Sequence, residues 1–406
     1  MDVLFSTMKT SPDKEIGHID FSYGVVAKSF ERCLSATDCK MKFVPRPEFI
    51  PKLKDVEVHL MMRKFRAFRP VNGAYNIAVI SWEFNQLQKD SNEFDGIFYN
   101  QVNMLKMADE IWVASSHLKK VFEDYGLSNV LFIPCPIGLP YWDDEEDISL
   151  QNKLNKSFDN LGFLNSIAYY FSTGTNKLAE IKPLYFNIPD IKNKKIYLTV
   201  FNPHDHRKNI SKIIESFSSF SAKYKNAYLI IKCNTDLKLL TSVLNLIWKR
   251  SRKGVDTLLE NIIIINERLD ELELKRLYDL ADFYFCLSHG EGQNLPLQES
   301  MARGCIPVSV SNTAMSDCVN IKSAFEIKSR EIPINIEDKV CFHKIENLTW
   351  YEVGLSDVYQ ALERSILAEP DELESKMKVC QEIIGHLYSD RAVGELSTKR
   401  LVKIYG

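Results

Sequence analysis

The chain has 406 residues, which suits two domains of about 180–200 residues each better than one core. Apolar residues make up 45% and charged residues 26%, the balance of a globular protein rather than a disordered or membrane-embedded one. The net charge of −3 gives no overall basic field, so composition does not point to nucleic acid, although a local basic patch stays open.

In chain order, DVLFST opens as a strand, a loop follows, and Gly24–Leu34 (GVVAKSFERCL) reads as a helix. KMKFVP, DVEVHLMM and YNIAVISWEF are rich in β-branched and aromatic residues and read as strands. Asn100–Asp109 reads as a helix, EIWVASS as a strand, HLKKVFEDYG as a helix stopped by its glycine, and NVLFIPCPI as a last strand. The stretch 138–190 opens with the acidic run YWDDEED and holds a helical piece around Leu150–Phe171. A structureless loop that long is unusual, so it reads as a partly helical insertion. The rhythm then repeats. KIYLTVFN, AYLIIKCN, NIIIINE, DFYFCLS and IPVSVSN are strands, and Asn209–Tyr224, Leu237–Lys249, ELELKRLYDLA and LPLQESMARG are helices. Further helices start near Ser356 and Glu372. The strands of this half are nearly continuous apolar runs, as strands buried on both faces should be.

The nine cysteines are scattered, odd in number and without a C-x-x-C, which points to buried thiols in a reducing compartment. No apolar stretch approaches the roughly 20 residues of a membrane span, and the first residues lack a signal-peptide core. The expected location is the cytoplasm. PKLKDVEVHLMMRKFRAFRP gathers Lys52, Lys54, Arg63, Lys64, Arg66 and Arg69, the last four beside Phe65 and Phe68. A solvated face is the plainer reading, and peripheral contact with a membrane or an anionic acceptor is the functional one.

Alternating strands and helices imply parallel sheets, and such sheets bind ligands beyond their strand carboxyl ends. The richest segment after a strand is HGEGQNLPLQESMARGCIPVSVSN, His289–Asn312. Gly290 and Gly292 let backbone approach a ligand, and the helix opening near Leu295 offers N–H groups to a phosphate. Glu291 on the loop and Glu299 one turn into the helix can face one cleft. A carboxylate can accept both hydroxyls of a ribose, and the other can sit beside a transferred group. On spacing alone, a plain strand–turn–helix with solvated acids fits equally. The second segment, VFNPHDHRKNISKIIESF, places Arg207 and Lys208 at a turn where they could neutralise a pyrophosphate. His204 and His206 flank Asp205 there, in a pattern more typical of turns than of metal ligands. No Asp-x-Asp occurs, so the usual diphosphate-bound divalent metal has no motif to hold it.

EGQNLPLQESMARGCIPV resembles the Glu-seven-Glu signature of the retaining GT-B glycosyltransferases, especially glycosyltransferase family 4. It departs from them at Gln293-Asn294, where the family commonly has an aromatic and a glycine. The family's usual arginine position after the preceding strand holds Pro203, with Arg207 close by to take over, while Lys208 aligns with the family's lysine. The resemblance covers about 195–312 closely and 75–137 more loosely. It implies an α/β GT-B fold, two Rossmann-like domains whose parallel sheets face a central cleft. The domains would be 1–190, including the insertion at about 138–190, and 191–385, with a final helix at about 386–406 returning to the first. Glu299 would bind the ribose, Glu291 would lie near the donor sugar, and backbone around Gly292, Gln293, Asn294 and Leu295 would meet phosphates and sugar, with Arg207 and Lys208 on the diphosphate. GHIDFSYGVVAKSF resembles the glycine-bearing loop of the acceptor side, making His18 and Gly24 candidates, and ISWEFNQ places Glu83 at the cleft. The implied reaction is metal-independent transfer from a nucleotide sugar to a glycan or lipid-linked acceptor, with no cofactor and no nucleic-acid partner. A GT-B epimerase and a catalytically silent binding subunit share the architecture.

Overall fold

The computed structural model describes residues 2–7, 21–35, 39–44, 58–63, 65–87, 100–138, 168–172, 180–184, 191–202, 205–235, 261–334 and 348–405. The first unit runs β1 (Asp2–Thr7), α1 (Phe21–Ser35), β2 (Lys40–Val44), β3 (Val58–Met62), β4 (Tyr75–Ile80), α2 (Gln101–Leu105), β5 (Glu110–Val113), α3 (Ser116–Asp124) and β6 (Val130–Phe132). The sheet order is β2-β1-β3-β4-β5-β6, and every pairing is parallel. The described residues of β3 and β5 are buried throughout, as the apolar runs require when helices cover both faces.

The second unit adds β7 (Ala168–Ser172), β8 (Glu180–Leu184), β9 (Lys195–Val200), α4 (Ile210–Lys223), β10 (Ala227–Cys233), β11 (Ile262–Asn266), α5 (Glu271–Leu280), β12 (Phe283–Cys286), α6 (Leu295–Ala302), β13 (Ile306–Val310) and β14 (Phe325–Ile327). A two-stranded ribbon, β15 (Ser329–Pro333) with β16 (Thr349–Val353), follows, then α7 (Leu355–Leu367), α8 (Pro370–Leu387) and α9 (Asp390–Tyr405). The main sheet has the order β14-β13-β12-β9-β10-β11-β7-β8. Its first six strands are parallel, and β7 and β8 extend it antiparallel.

Several sequence expectations change here. Residues 168–171, placed at the end of a helical piece, are strand. The described hairpin of the insertion bonds to β11 of the second sheet, not to the first unit to which 138–190 had been assigned. The helix expected over 100–109 keeps helical bonding only over Gln101–Leu105. The final helix, expected at about 386–406, begins at Asp390 after a break at Tyr388-Ser389. The expected helix 237–249 lies outside the described residues.

The last helix, α9, packs on α1 and places Val393 and Leu401 in the core of the first unit. Arg400 grips Glu110 of β5, its Nε 2.8 Å from Oε2, and the Trp112 indole donates to the same carboxylate at 2.6 Å. Arg32 of α1 meets Asp390 at 2.6 Å. No described helix is long and apolar enough to cross a membrane. All eight cysteines among the described residues are buried, and none forms a disulfide.

Candidate active site

In the second sheet the strand order reverses beside β9, which has β10 on one side and β12 on the other. That switch point leaves a crevice beyond the carboxyl ends of β9 and β12. The residues there are the ones singled out in the sequence. After β9, the Asp205 side chain accepts the Arg207 N–H at 3.2 Å and closes a single 3₁₀ turn, His206–Lys208. Asn209, at φ 54°, then starts α4. After β12 the loop runs through Gly290 and Gly292 to Asn294, left-handed at φ 69°, whose side chain caps the Leu297 N–H. With that N–H taken, and none on Pro296, the start of α6 offers an anion fewer donors than the sequence suggested.

The two segments meet in one charge cluster. Lys208 Nζ lies 2.6 Å from Glu291 Oε1, and Glu291 is only 4% exposed. Arg207 contacts Asp205 at 2.6 Å, Glu83 at 3.3 Å and Glu291 at 3.8 Å, and donates to the Gly290 carbonyl at 3.0 Å. Two cations therefore face three carboxylates. Burial acts against the charged form of Lys208, yet Glu291 and Asp205 carry its pKa above the ordinary lysine value. Burial also works to raise Asp205, but Arg207 and Lys208 together hold it below the usual aspartate value. For Glu83 burial wins, and its pKa rises in spite of Arg207.

Glu299 sits apart from this cluster, where Tyr278 of α5 donates to its Oε2 at 2.9 Å. Burial lifts its pKa to about 7, the Tyr278 hydrogen bond opposing the shift. A carboxylate here has acceptor capacity left for a diol.

The first unit closes over the loop. A Cβ on Gly292 would lie 2.0 Å from Ser81 Oγ, and one on Gly290 would lie 2.5 Å from the Glu83 carbonyl, so both positions exclude a side chain. Below the loop, the β15–β16 ribbon docks on the segment after β4. Phe84, Ile334, Leu348 and Trp350 form one apolar cluster, and Gln86 exchanges two hydrogen bonds with Thr349. His289 stacks on Trp350 at 3.9 Å and exchanges backbone and side-chain bonds with Tyr351. Asp317 accepts the Ser116 N–H at the start of α3 at 2.8 Å.

Thus the structure brings together Arg207, Lys208, Glu291 and Glu83, with Gly292 and Asn294 shaping the loop. Leu295 is half-buried against the core of the first unit. Gln293 spends its amide on the protein itself, bonding Cys135 and Gln298. Gly24 lies inside α1 rather than in a loop, and His18, Pro203 and His204 lie outside the described residues. In the basic stretch, Arg63 is buried at 6% exposure, so it belongs to no solvated patch, whereas Arg69 is exposed. The sequence reading missed Asp205 and Tyr278 as partners of the site. The signal for Asp205 was its place two residues before Arg207, and Tyr278 had none.

No protein-family model matches the chain, and no curated relative does. Solved structures do. Sucrose-phosphate synthase from Thermosynechococcus elongatus superposes with a TM-score of 0.62 at 12% identity, covering 100% of this chain and 99% of its own. An E. coli trehalose-6-phosphate protein bound with UDP-2-fluoro glucose gives 0.60 at 11% identity, with 99% of each chain covered. The pneumococcal O-GlcNAc transferase GtfA, in complex with UDP and GlcNAc, gives 0.50 at 12% identity over 86% of this chain and 58% of that one. At such identities the likeness is one of fold: two α/β units with parallel sheets across a cleft, the GT-B architecture.

Proposed function

We propose that this chain is a retaining glycosyltransferase of the family 4 type. It moves a sugar from a nucleoside diphosphate sugar to a hydroxyl of a glycan or lipid-linked acceptor, in surface polysaccharide assembly at the cytoplasmic face of a membrane. The observation that carries this reading is the Lys208–Glu291 pair at the switch point, 2.6 Å apart and buried. A donor diphosphate would draw Lys208 from Glu291 through charge-assisted hydrogen bonds, each worth about 1.5–3 kcal/mol. Arg207, braced by Asp205 and Glu83, adds positive potential and holds the Gly290 backbone. Glu299 would accept the ribose hydroxyls, and Glu291, relieved of Lys208, would lie beside the sugar. Catalysis would rest on stabilising the leaving diphosphate, which takes the acceptor proton on the front face, and on orientation. The fold neighbours described with UDP or a UDP-sugar support the donor class.

Because Lys208, once drawn from Glu291, and the neighbouring Arg207 would balance the diphosphate charge, transfer should need no divalent metal. The test begins with a panel of nucleotide sugars, in which the true donor gives the largest thermal stabilisation. Product is then measured with and without an acceptor, in excess EDTA. Transfer that persists in chelator supports the reading. Activity abolished by EDTA and restored by Mn²⁺ or Mg²⁺ would overturn the donor-site assignment, and a rearranged sugar nucleotide formed without acceptor would make the chain an epimerase.

A further inference from the structure

Gln293 stands in the middle of the donor loop, yet it is only 5% exposed, and its amide points to the protein. Its Oε1 accepts the Cys135 N–H at 2.9 Å, and its Nε2 donates to the Cys135 carbonyl at 2.8 Å. The same nitrogen donates to Gln298 Oε1 of α6 at 2.9 Å. A side chain thus pairs with residue 135 as a neighbouring strand would, satisfying both backbone groups.

Residue 135 lies where the chain leaves the first sheet. Two positions on, Ile137 forms a parallel bridge with Ser389, and its N–H donates to the Tyr388 carbonyl at 2.7 Å. Tyr388-Ser389 is the break between α8, which packs on α6, and α9, which packs on α1. Both passages between the units therefore meet in one extended segment, and Gln293 is the loop residue that grips it. On its other side the loop is fixed by the close approach of Gly290 and Gly292 to Ser81 and Glu83. Gln298, the next link, precedes Glu299.

We propose that Gln293 is a positioning residue. It registers the donor loop and α6 against the interdomain linker, so that Glu291 and Glu299 take up their binding geometry only while linker and loop are paired. The nucleotide part of this inference rests on the transferase reading; the pairing itself does not.

The experiment uses the full chain with Gln293→Leu and Gln293→Glu, and the nucleoside diphosphate among UDP, GDP, ADP and CDP that most stabilises the wild type. Gln293→Leu leaves the Cys135 N–H and carbonyl without their partner. Hydrogen exchange at the Cys135 amide should speed up, and nucleotide affinity should fall about tenfold. Gln293→Glu supplies a readout that packing alone would not move. As the neutral acid it can accept from and donate to Cys135 as the amide does, whereas the carboxylate can only accept. Its affinity relative to wild type should approach one at low pH and fall as pH rises, while the ratio for Gln293→Leu stays flat. Wild-type affinity and unchanged exchange in Gln293→Leu, or a flat ratio for a folded Gln293→Glu, would overturn the proposal. Should Gln293→Leu fail to fold, the near-isosteric Gln293→Glu decides it. Faster exchange in a chain whose wild type binds none of the four nucleotides would leave the clamp standing and sink the transferase reading.

Discussion

Lys208, Glu291 and Glu299 carry separable tasks, and the separation can be measured. Lys208→Ala removes the cation nearest Glu291 and should weaken nucleoside diphosphate binding by about 2–5 kcal/mol while sparing the nucleoside. Glu299→Ala should weaken both. Glu291→Gln should lower turnover with nucleoside diphosphate affinity nearly intact, since its contact matters as the glycosidic bond breaks. Calorimetric titration with nucleoside and nucleoside diphosphate, plus steady-state kinetics, checks the set. Glu299→Ala binding like wild type and Glu291→Gln turning over normally would reduce the motif to a structural turn. Glu299 also sets a pH dependence. Burial holds its proton up to about 7, against the Tyr278 hydrogen bond, and the ionised form, with both oxygens free to accept, binds the two ribose hydroxyls more strongly than the neutral acid does. Nucleotide affinity should therefore rise with pH through about 7, and Glu299→Gln should flatten the curve. Stability runs the other way. With the folded pKa raised, the Glu299 contribution is full below the ordinary glutamate value and is lost as pH rises through about 7. A nucleotide affinity in wild type that ignores pH across this window would contradict the role.

Among the elements, the apolar strands were legible because burial on both faces leaves nothing polar to confuse the pattern; β9, β11 and β12 match their runs. The β15–β16 ribbon was not. SREIP holds charges and a proline, and its apolar cover comes from Phe84 of the other unit. The break before α9 has local signals, Gly385 in the last turn of α8 and Ser389 accepting the Ala392 N–H, and a bridge to Ile137 fixes it. In the site, Glu291 and Lys208 could be read because each follows a strand at the switch point. The side-chain partner of Gln293 could not be read, because it is a backbone 158 positions away. The tether of α9 can be tested as an element. Glu110 is 2% exposed and leans on Arg400, so Arg400→Ala strands a buried carboxylate. The Trp112 and Tyr75 donors stay, and Arg400 is partly exposed, so the loss should be about 2–3 kcal/mol, below the full cost of breaking a buried pair. Urea unfolding measures it, with faster amide exchange confined first to α9. A change under about 0.5 kcal/mol, the level of an ordinary surface substitution, would show that α9 is held by packing alone.

For the whole molecule, the two units meet at the glycine loop, at the ribbon on residues 82–87, and at Asp317 on the start of α3. In this arrangement the cavity reaching Lys208 and Glu291 is about 10 Å³. Ligand pockets are typically about 300–1,000 Å³, so a sugar nucleotide does not fit there as it stands, and with Ser81 and Glu83 lying against the loop the units are expected to part for its entry. Opening has a definable cost, because these contacts must be released together with the Arg207–Glu83 ion pair and the packing of Leu295 on the first unit, and α9 with its break at Tyr388-Ser389 is placed to act as the pivot. Ser116 and Asp317 touch across the seam through backbone and hydroxyl hydrogen bonds, which makes them the pair to lock. In the double variant Ser116→Cys with Asp317→Cys, oxidation should join the units by a disulfide, and the eight native cysteines among the described residues, all buried, should not compete. The oxidised chain should then fail to bind the nucleoside diphosphate that stabilises wild type, and reductant should restore binding. Small-angle scattering adds the second arm: the dimensions of the reduced chain should change as nucleotide is added, and those of the oxidised chain should not. Oxidised protein that binds nucleotide with wild-type affinity would mean that the donor reaches Lys208 with the seam shut, and interdomain opening would have no part in its entry.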